Sequence, residues 1–184
     1  YAILLLLMVT STAVAQTEIA GITLPDQMQI ENEKTYLNGA GIREKFWIDL
    51  YAEGLYLTDQ SKDAQSIIEA DQPMAIKIHI VSRLISSKKM KNAVKDGFEQ
   101  STDNNVSEIK DKIDQFITFF ADEITGDDVF DIVYHPNTGI KVYKNRNLKG
   151  NIKGKKFKEA LFGIWLSDDP VDDDLKEAIL GKTS

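Results

Sequence analysis

The sequence lacks cysteine and contains only two histidines. The absence of cysteine excludes disulfide bonds, zinc-thiolate sites and a cysteine nucleophile. His79 and His135 have no histidine or carboxylate at the spacing of a metal site. No G-x-S-x-G sequence is present, so nucleophilic acyl transfer has no support. The sequence therefore predicts neither a metal site nor a cofactor.

Positive charge is also scarce, since 22 lysines and arginines face 29 acidic residues and the net charge is -7. Such a chain is not attracted to nucleic acid or to an anionic membrane, so we exclude both as electrostatic partners. We interpret one acidic cluster as the start of the last helix rather than a calcium site, because it lacks the glycine and closing glutamate of an EF-hand. Its members are Asp168, Asp169, Asp172, Asp173 and Asp174. We interpret one basic run as a solvated edge rather than an anion site. Its members are Lys149, Lys153, Lys155, Lys156 and Lys158.

The first fifteen residues are typical of a signal peptide. Tyr1–Val9 is apolar but too short to span a bilayer, and Ala13-Val14-Ala15 matches a cleavage site. The sequence begins without methionine, so we expect the charged start of this segment to be missing. No later apolar stretch is long enough to cross a membrane. We therefore expect an exported protein, periplasmic or secreted, with one domain over residues 16–184.

The remaining chain predicts an α+β fold. Met74–Ser82 alternates apolar and polar residues as a half-buried strand does, and Val106–Ile124 repeats apolar residues at helical spacing. Ser86 is placed to cap a helix that runs to about Gln100. The order is strands, helix, strand, two helices, a hairpin and two helices. This order favours an antiparallel sheet with helices gathered on one face.

The most informative stretch is Leu37–Leu57, LNGAGIREKFWIDLYAEGLYL. Gly39-Ala40-Gly41 predicts a tight turn, and Phe46–Leu57 predicts a long, buried strand. Arg43 lies where the two meet. Its guanidinium suits a carboxylate or enolate oxygen, although an ordinary surface arginine explains the spacing equally well.

Two segments carry a resemblance to a known family. Leu37–Leu57 resembles the opening motif of the chalcone isomerase superfamily, in which a glycine-rich turn carries an arginine and a long strand ends in G-x-Y-L. The tail Phe157–Gly181 is similar to the end of the bacterial, exported chalcone isomerase-like branch. The resemblance covers essentially the whole chain after residue 15 in element order. It implies an open-faced β-sandwich, with a large antiparallel sheet covered on one face by helices.

The superfamily that the sequence resembles contains isomerases and fatty-acid binders. In the isomerases the arginine holds a phenolate, helped by threonine and tyrosine side chains, and in the binders an arginine and a tyrosine hold a carboxylate. Arg43 matches the family arginine, and Tyr51 occupies the isomerases' threonine position, as in the binders. The isomerases' tyrosine has no counterpart in Ser86–Lys91, and their late threonine falls on Ile164.

We therefore expect a protein that binds a fatty acid or similar apolar carboxylate without turnover, with Arg43 and Tyr51 on the head group. Phe116, Phe120 and Trp165 are candidate cleft-lining residues. One alternative is an intramolecular lyase that closes a flavanone-like ring on a phenolic substrate, with Arg43 as electrostatic catalyst. A second alternative is a structural or partner-binding protein whose cleft is filled by its own side chains. An open cavity beside Arg43 and Tyr51 would separate the binder from this last alternative.

Overall fold

A computed structural model describes residues 16–182 of the chain, so the predicted signal peptide at residues 1–15 lies outside the described residues. The strands are β1 (Gln16–Ile19), β2 (Ile22–Pro25), β3 (Gln27–Ile30), β4 (Glu33–Lys45), β5 (Ile48–Leu57), β6 (Met74–Ile80), β7 (Val129–His135), β8 (Gly139–Lys144) and β9 (Asn147–Ile152). The α-helices are α1 (Ala64–Glu69), α2 (Ser87–Ser101), α3 (Lys110–Thr118), α4 (Lys155–Leu166) and α5 (Asp173–Ile179).

Seven strands form one antiparallel sheet in the order β3-β4-β5-β6-β7-β8-β9, and β1 and β2 form a separate hairpin. The main core lies between one face of this sheet and the helices, where Leu55, Ile76 and Ile132 pack against Phe157 and Leu161. On the opposite face, Ile30, Tyr56 and Ala75 form a smaller buried cluster. The predicted α+β architecture, an open-faced β-sandwich with helices on one face, is therefore confirmed.

Side-chain caps fix the starts of three helices, and the sequence analysis predicts two of them, at Ser86 and in the acidic cluster. Asp63, Ser86 and Asp172 each accept a hydrogen bond from a backbone N–H three residues later. Asp173 and Asp174 follow in the first turn of α5, where carboxylates are favoured by the helix dipole. The acidic cluster therefore serves the last helix, as predicted.

The predicted turn at Gly39-Ala40-Gly41 is wrong, because these residues lie inside β4. Because these two glycines lack side chains, another element can pack closely against them. A Cβ on Gly39 would lie 2.6 Å from the carbonyl oxygen of Ile179, and one on Gly41 would lie 2.7 Å from the Cβ of Ala178. The glycines thus allow α5 to lie directly on β4.

The turn occurs instead at Phe46-Trp47, which the sequence assigns to a buried strand. Both residues have positive φ, +53° and +61°, and together they form the two-residue loop between β4 and β5. Their side chains are 78 % and 92 % exposed. A bulky L-residue rarely adopts positive φ, which is why the sequence alone favours an extended conformation here.

Two further predictions need correction. The helix predicted over Val106–Ile124 is a short 3₁₀ turn followed by α3, which ends at Thr118, so Phe120 lies beyond the helix. Lys158, predicted on a solvated edge, is fully buried. Within residues 16–182, no helix is both long enough and apolar enough to span a bilayer.

Candidate ligand-binding site

A cavity of about 500 Å³ opens between the sheet and the helices. All five residues predicted from the sequence line it: Arg43, Tyr51, Phe116, Phe120 and Trp165. Most of the remaining wall is aliphatic, with Leu50, Ile78, Met90, Ile132 and Leu161 among its members. The cavity contradicts the alternative in which the protein's own side chains fill the cleft.

Strand register places the two predicted head-group residues side by side. Arg43 near the end of β4 is the direct cross-strand partner of Tyr51 on β5. Side chains of directly opposed residues project from the same face of an antiparallel pair. Both side chains therefore reach the same end of the cavity, although they are separated by the Phe46-Trp47 turn in sequence.

Arg43 is held by Asp172, the cap of α5. Its Nη1 donates to Asp172 Oδ2 at 2.5 Å and to the carbonyl oxygen of Glu44 at 3.2 Å. Asp172 Oδ1 meanwhile accepts from the backbone N–H of Leu175 at 3.0 Å. Among the described residues, neither Nη2 nor Nε of Arg43 makes a hydrogen bond, so these N–H groups remain available to a ligand.

Tyr51 is oriented by Trp165 on α4. The indole Nε1 donates to the Tyr51 hydroxyl oxygen at 3.2 Å. Because an indole N–H can only donate, the phenolic proton must point elsewhere, and no acceptor for it occurs within residues 16–182. Burial, and then the nearby carboxyl of Glu53, raise the pKa of Tyr51 well above its ordinary value. Tyr51 is therefore a neutral hydrogen-bond donor at the cavity wall.

Glu53 lies directly behind this pair. It is two residues beyond Tyr51 on the same face of β5, between Gly41 of β4 and Ile78 of β6. Its side chain is fully buried, and neither carboxyl oxygen has a hydrogen-bond partner among the described residues. Burial raises the pKa of Glu53 well above its ordinary value, while the charge of Arg43 lowers it and that of Asp172 raises it. The buried carboxyl therefore keeps its proton to a higher pH than an exposed glutamate does.

We name Arg43, Tyr51, Glu53, Trp165 and Asp172 the Arg43 cluster. Sequence reasoning missed two of its members. Glu53 was detectable as a carboxylate between Tyr51 and Leu55 on a strand face that becomes apolar towards Leu57. The role of Asp172 as a partner of Arg43 had no sequence signal, because the two residues are 129 positions apart.

The aromatic candidates have two roles. The Phe116 ring lies 5.4 Å from that of Phe120 and 5.6 Å from that of Phe157, in edge-on arrangements typical of a packed core. Phe116 and Phe120 nevertheless also line the cavity. They form a rigid apolar wall away from the charged end. Within residues 16–182, no group of three or more histidine, aspartate or glutamate side chains could hold a metal ion.

Comparison with known proteins agrees with this architecture. A family model for chalcone isomerase-like proteins matches residues 16–181. A solved structure of a fatty-acid binding protein from Arabidopsis thaliana superposes with a TM-score of 0.71 at 18 % sequence identity, over 90 % of this chain and 96 % of the other. No curated protein sequence matches the chain. The chain belongs to the chalcone isomerase-like family.

Proposed function

We propose that this member of the chalcone isomerase-like family binds a fatty acid or similar apolar carboxylate, with the head group on Arg43 and Tyr51. The observation that carries the proposal is a largely apolar cavity with Arg43 and Tyr51 side by side in its wall. Its volume of about 500 Å³ lies in the usual range for small-molecule sites, roughly 300–1,000 Å³. The similar plant structure is that of a fatty-acid binding protein, which supports the same ligand class.

The free donors at this end fit a carboxylate. Arg43 offers Nη2 and Nε on the side of the guanidinium that Asp172 leaves open, and this pair suits a bidentate carboxylate. Tyr51 adds one neutral O–H donor, fixed in direction by Trp165. The aliphatic and aromatic walls bury the hydrocarbon tail. Binding then needs no rearrangement of the Arg43–Asp172 ion pair.

Palmitate and its uncharged analogue hexadecanol test this arrangement in a direct binding measurement. Wild type should prefer palmitate, and Arg43→Ala should weaken palmitate binding about 10- to 100-fold, the size of a charge-assisted hydrogen bond, while scarcely changing hexadecanol. Tyr51→Phe should cost a smaller factor, about 2- to 10-fold. Arg146→Ala, at an exposed turn far along the sheet, is the matched control and should change neither.

Equal affinity of the wild type for both ligands, or binding of neither, would overturn the proposal. Native mass spectrometry of the purified protein should also detect a co-purified carboxylate that Arg43→Ala loses. A faster chalcone-to-flavanone conversion that depends on Arg43, with no palmitate bound, would instead support the lyase.

A further inference from the structure

Three hairpins of this protein share one turn geometry but differ in residues. The two-residue loops Ala20-Gly21, Phe46-Trp47 and Asn145-Arg146 each have positive φ at both positions, as in a type I′ turn. Such turns strongly favour asparagine, aspartate and glycine. Phe46-Trp47 is the exception, since it places two large aromatic side chains where the backbone disfavours them. An observed outlier of this kind is a reason to look for function.

Packing does not explain the aromatic pair. Phe46 and Trp47 project from the tip of the β4–β5 hairpin, 78 % and 92 % exposed, and they belong to neither hydrophobic cluster of the described chain. Two more exposed apolar side chains, Ile48 and Leu84, lie with Phe46 at the mouth of the cavity. Of the large hydrophobic residues exposed within residues 16–182, only Tyr36 and Leu148 lie elsewhere. Exposed apolar surface is therefore concentrated at the cavity entrance.

Cations outnumber carboxylates around this tip although the whole chain is acidic. Arg43, Lys45 and Lys89 line the cavity with one carboxylate, Asp96, and Asp172 pairs with Arg43. Residues 83–95, which enter and form the first half of α2, contain five cations and no carboxylate. Within residues 16–182, only one of these five makes an ion pair, Lys95 with Glu99. Glu44, Asp49 and Asp96 are the carboxylates of the same segments, 44–49 and 83–96, and the cations outnumber them.

We propose that the Phe46-Trp47 tip inserts into the surface of a phospholipid bilayer with anionic head groups, so that the cavity mouth faces the membrane. Tryptophan and phenylalanine are stable at the interface between head groups and acyl chains. Neighbouring lysines are attracted by the negative surface potential. The net charge of the chain argues against such a partner, but the local charge at the mouth has the opposite sign. Given the proposed function, an apolar ligand would pass between bilayer and cavity without crossing water.

The test is co-sedimentation of the chain from residue 16 onward, the form expected once the predicted signal peptide is removed, with vesicles of phosphatidylcholine and phosphatidylglycerol at a ratio of three to one. The double variant Phe46→Asn/Trp47→Gly gives the turn its preferred residues, so it should unfold at the same temperature or a higher one. Its partitioning onto vesicles should nevertheless fall at least tenfold. Leu148→Ser, an exposed apolar residue 56 % accessible on β9, is the matched control and should leave partitioning unchanged.

Three results would overturn the proposal. They are no vesicle binding by wild type at low salt, equal binding by the double variant, and a tip-dependent dimer in place of vesicle binding. Brominated lipids should quench the tryptophan fluorescence of the wild type. They should not quench that of Trp47→Gly. Since Trp47 does not line the cavity, Trp47→Gly should retain palmitate affinity. Loss of vesicle binding with palmitate binding intact therefore separates this proposal from the proposed function.

Discussion

Glu53 and Lys158 are both ionisable and fully buried, yet their surroundings differ completely. The Nζ of Lys158 donates to the carbonyl oxygens of Ile67, Ile68 and Ala70 at 3.1, 2.7 and 2.6 Å. It also lies 5.4 Å from the ring centroids of Tyr134 and Phe162. Glu53 has no hydrogen-bond partner among the described residues.

From this difference we infer that Lys158 has a structural role and that Glu53 is retained for the candidate site. Lys158 satisfies carbonyls at the end of α1, which have no partner within the helix, and its own N–H groups are satisfied in return. Glu53 has no such compensation and lies beside the proposed head-group residues. Natural proteins tolerate uncompensated polar groups mainly at functional sites. Replacing each residue by methionine, which has a similar length and no charge, tests this distinction.

Lys158→Met should have the largest effect and destabilise the protein. The carbonyl oxygens of Ile67, Ile68 and Ala70 would stay buried without a donor, and the free energy of unfolding should fall by about 2–4 kcal/mol. Urea denaturation measures this. Lys156→Met is the matched control on the same helix. Lys156 is exposed and paired only with Glu108 among the described residues, so its loss should leave the free energy of unfolding almost unchanged. Equal losses in both variants would remove the structural role assigned to Lys158.

Glu53→Met should instead stabilise the protein. It removes a buried carboxyl without hydrogen bonds and keeps the side-chain volume, so stability at pH 8 should rise by about 1–3 kcal/mol. The same urea experiment serves. Weaker palmitate binding in this more stable variant would show that Glu53 is retained for the site. A loss of stability comparable to that of Lys158→Met would contradict the contrast between the two residues.

The pH dependence of stability should distinguish the two groups without any change in the unfolding assay. The pKa of Glu53 is raised in the folded state, so its contribution is fully present below about pH 4.3, the ordinary glutamate pKa, and is lost as pH rises through the folded value. Burial lowers the pKa of Lys158 to about 8. Its contribution therefore grows as pH rises from about 8 towards the ordinary lysine pKa of about 10.4. In each methionine variant, only the pH dependence of the unfolding free energy that the replaced residue contributes should disappear.

Asp172→Asn should produce the smallest effect of these substitutions, a modest increase in the affinity for palmitate. Asparagine caps a helix as well as aspartate does, so α5 should remain in place. Removing the carboxylate that now faces Arg43 leaves the guanidinium charge to the ligand, and palmitate should bind about fivefold more tightly, roughly 1 kcal/mol. Hexadecanol should show no gain. A loss of palmitate affinity would instead mean that Asp172 is needed to hold Arg43 in position.

Periodic patterns in the sequence predict most of the fold. Alternation predicts β6, helical spacing and a serine cap predict α2, and the acidic cluster predicts the start of α5. The prediction fails where one residue type has two uses. Glycine occurs both in turns and where elements pack closely, so Gly39 and Gly41 are wrongly assigned to a turn. Lysine is usually exposed, so the burial of Lys158 is not predicted.

The candidate site is less accessible to sequence reasoning than the fold. All five predicted side chains line one cavity, and family resemblance rather than periodicity singles out Arg43 and Tyr51. Their role in binding stays a prediction. The partners Asp172 and Trp165 contact them only after distant segments pack together, and spacing carries no information about such contacts. The exposed turn at Phe46-Trp47 is missed because the local sequence gives a misleading signal. Aromatic residues are typical of buried strands.

The pairing of Arg43 with Asp172 also bears on when the site becomes complete during synthesis. Arg43 lies in the first half of the described chain, and its partner lies 129 residues later. The glycines that receive α5 are likewise made long before α5 itself. A nascent chain that stops short of Asp172 has an exposed groove on β4 and an arginine without its counter-ion. The surroundings of Arg43 are thus completed by a segment made long after β4, and a chain truncated before Asp172 lacks the ion pair that holds this arginine.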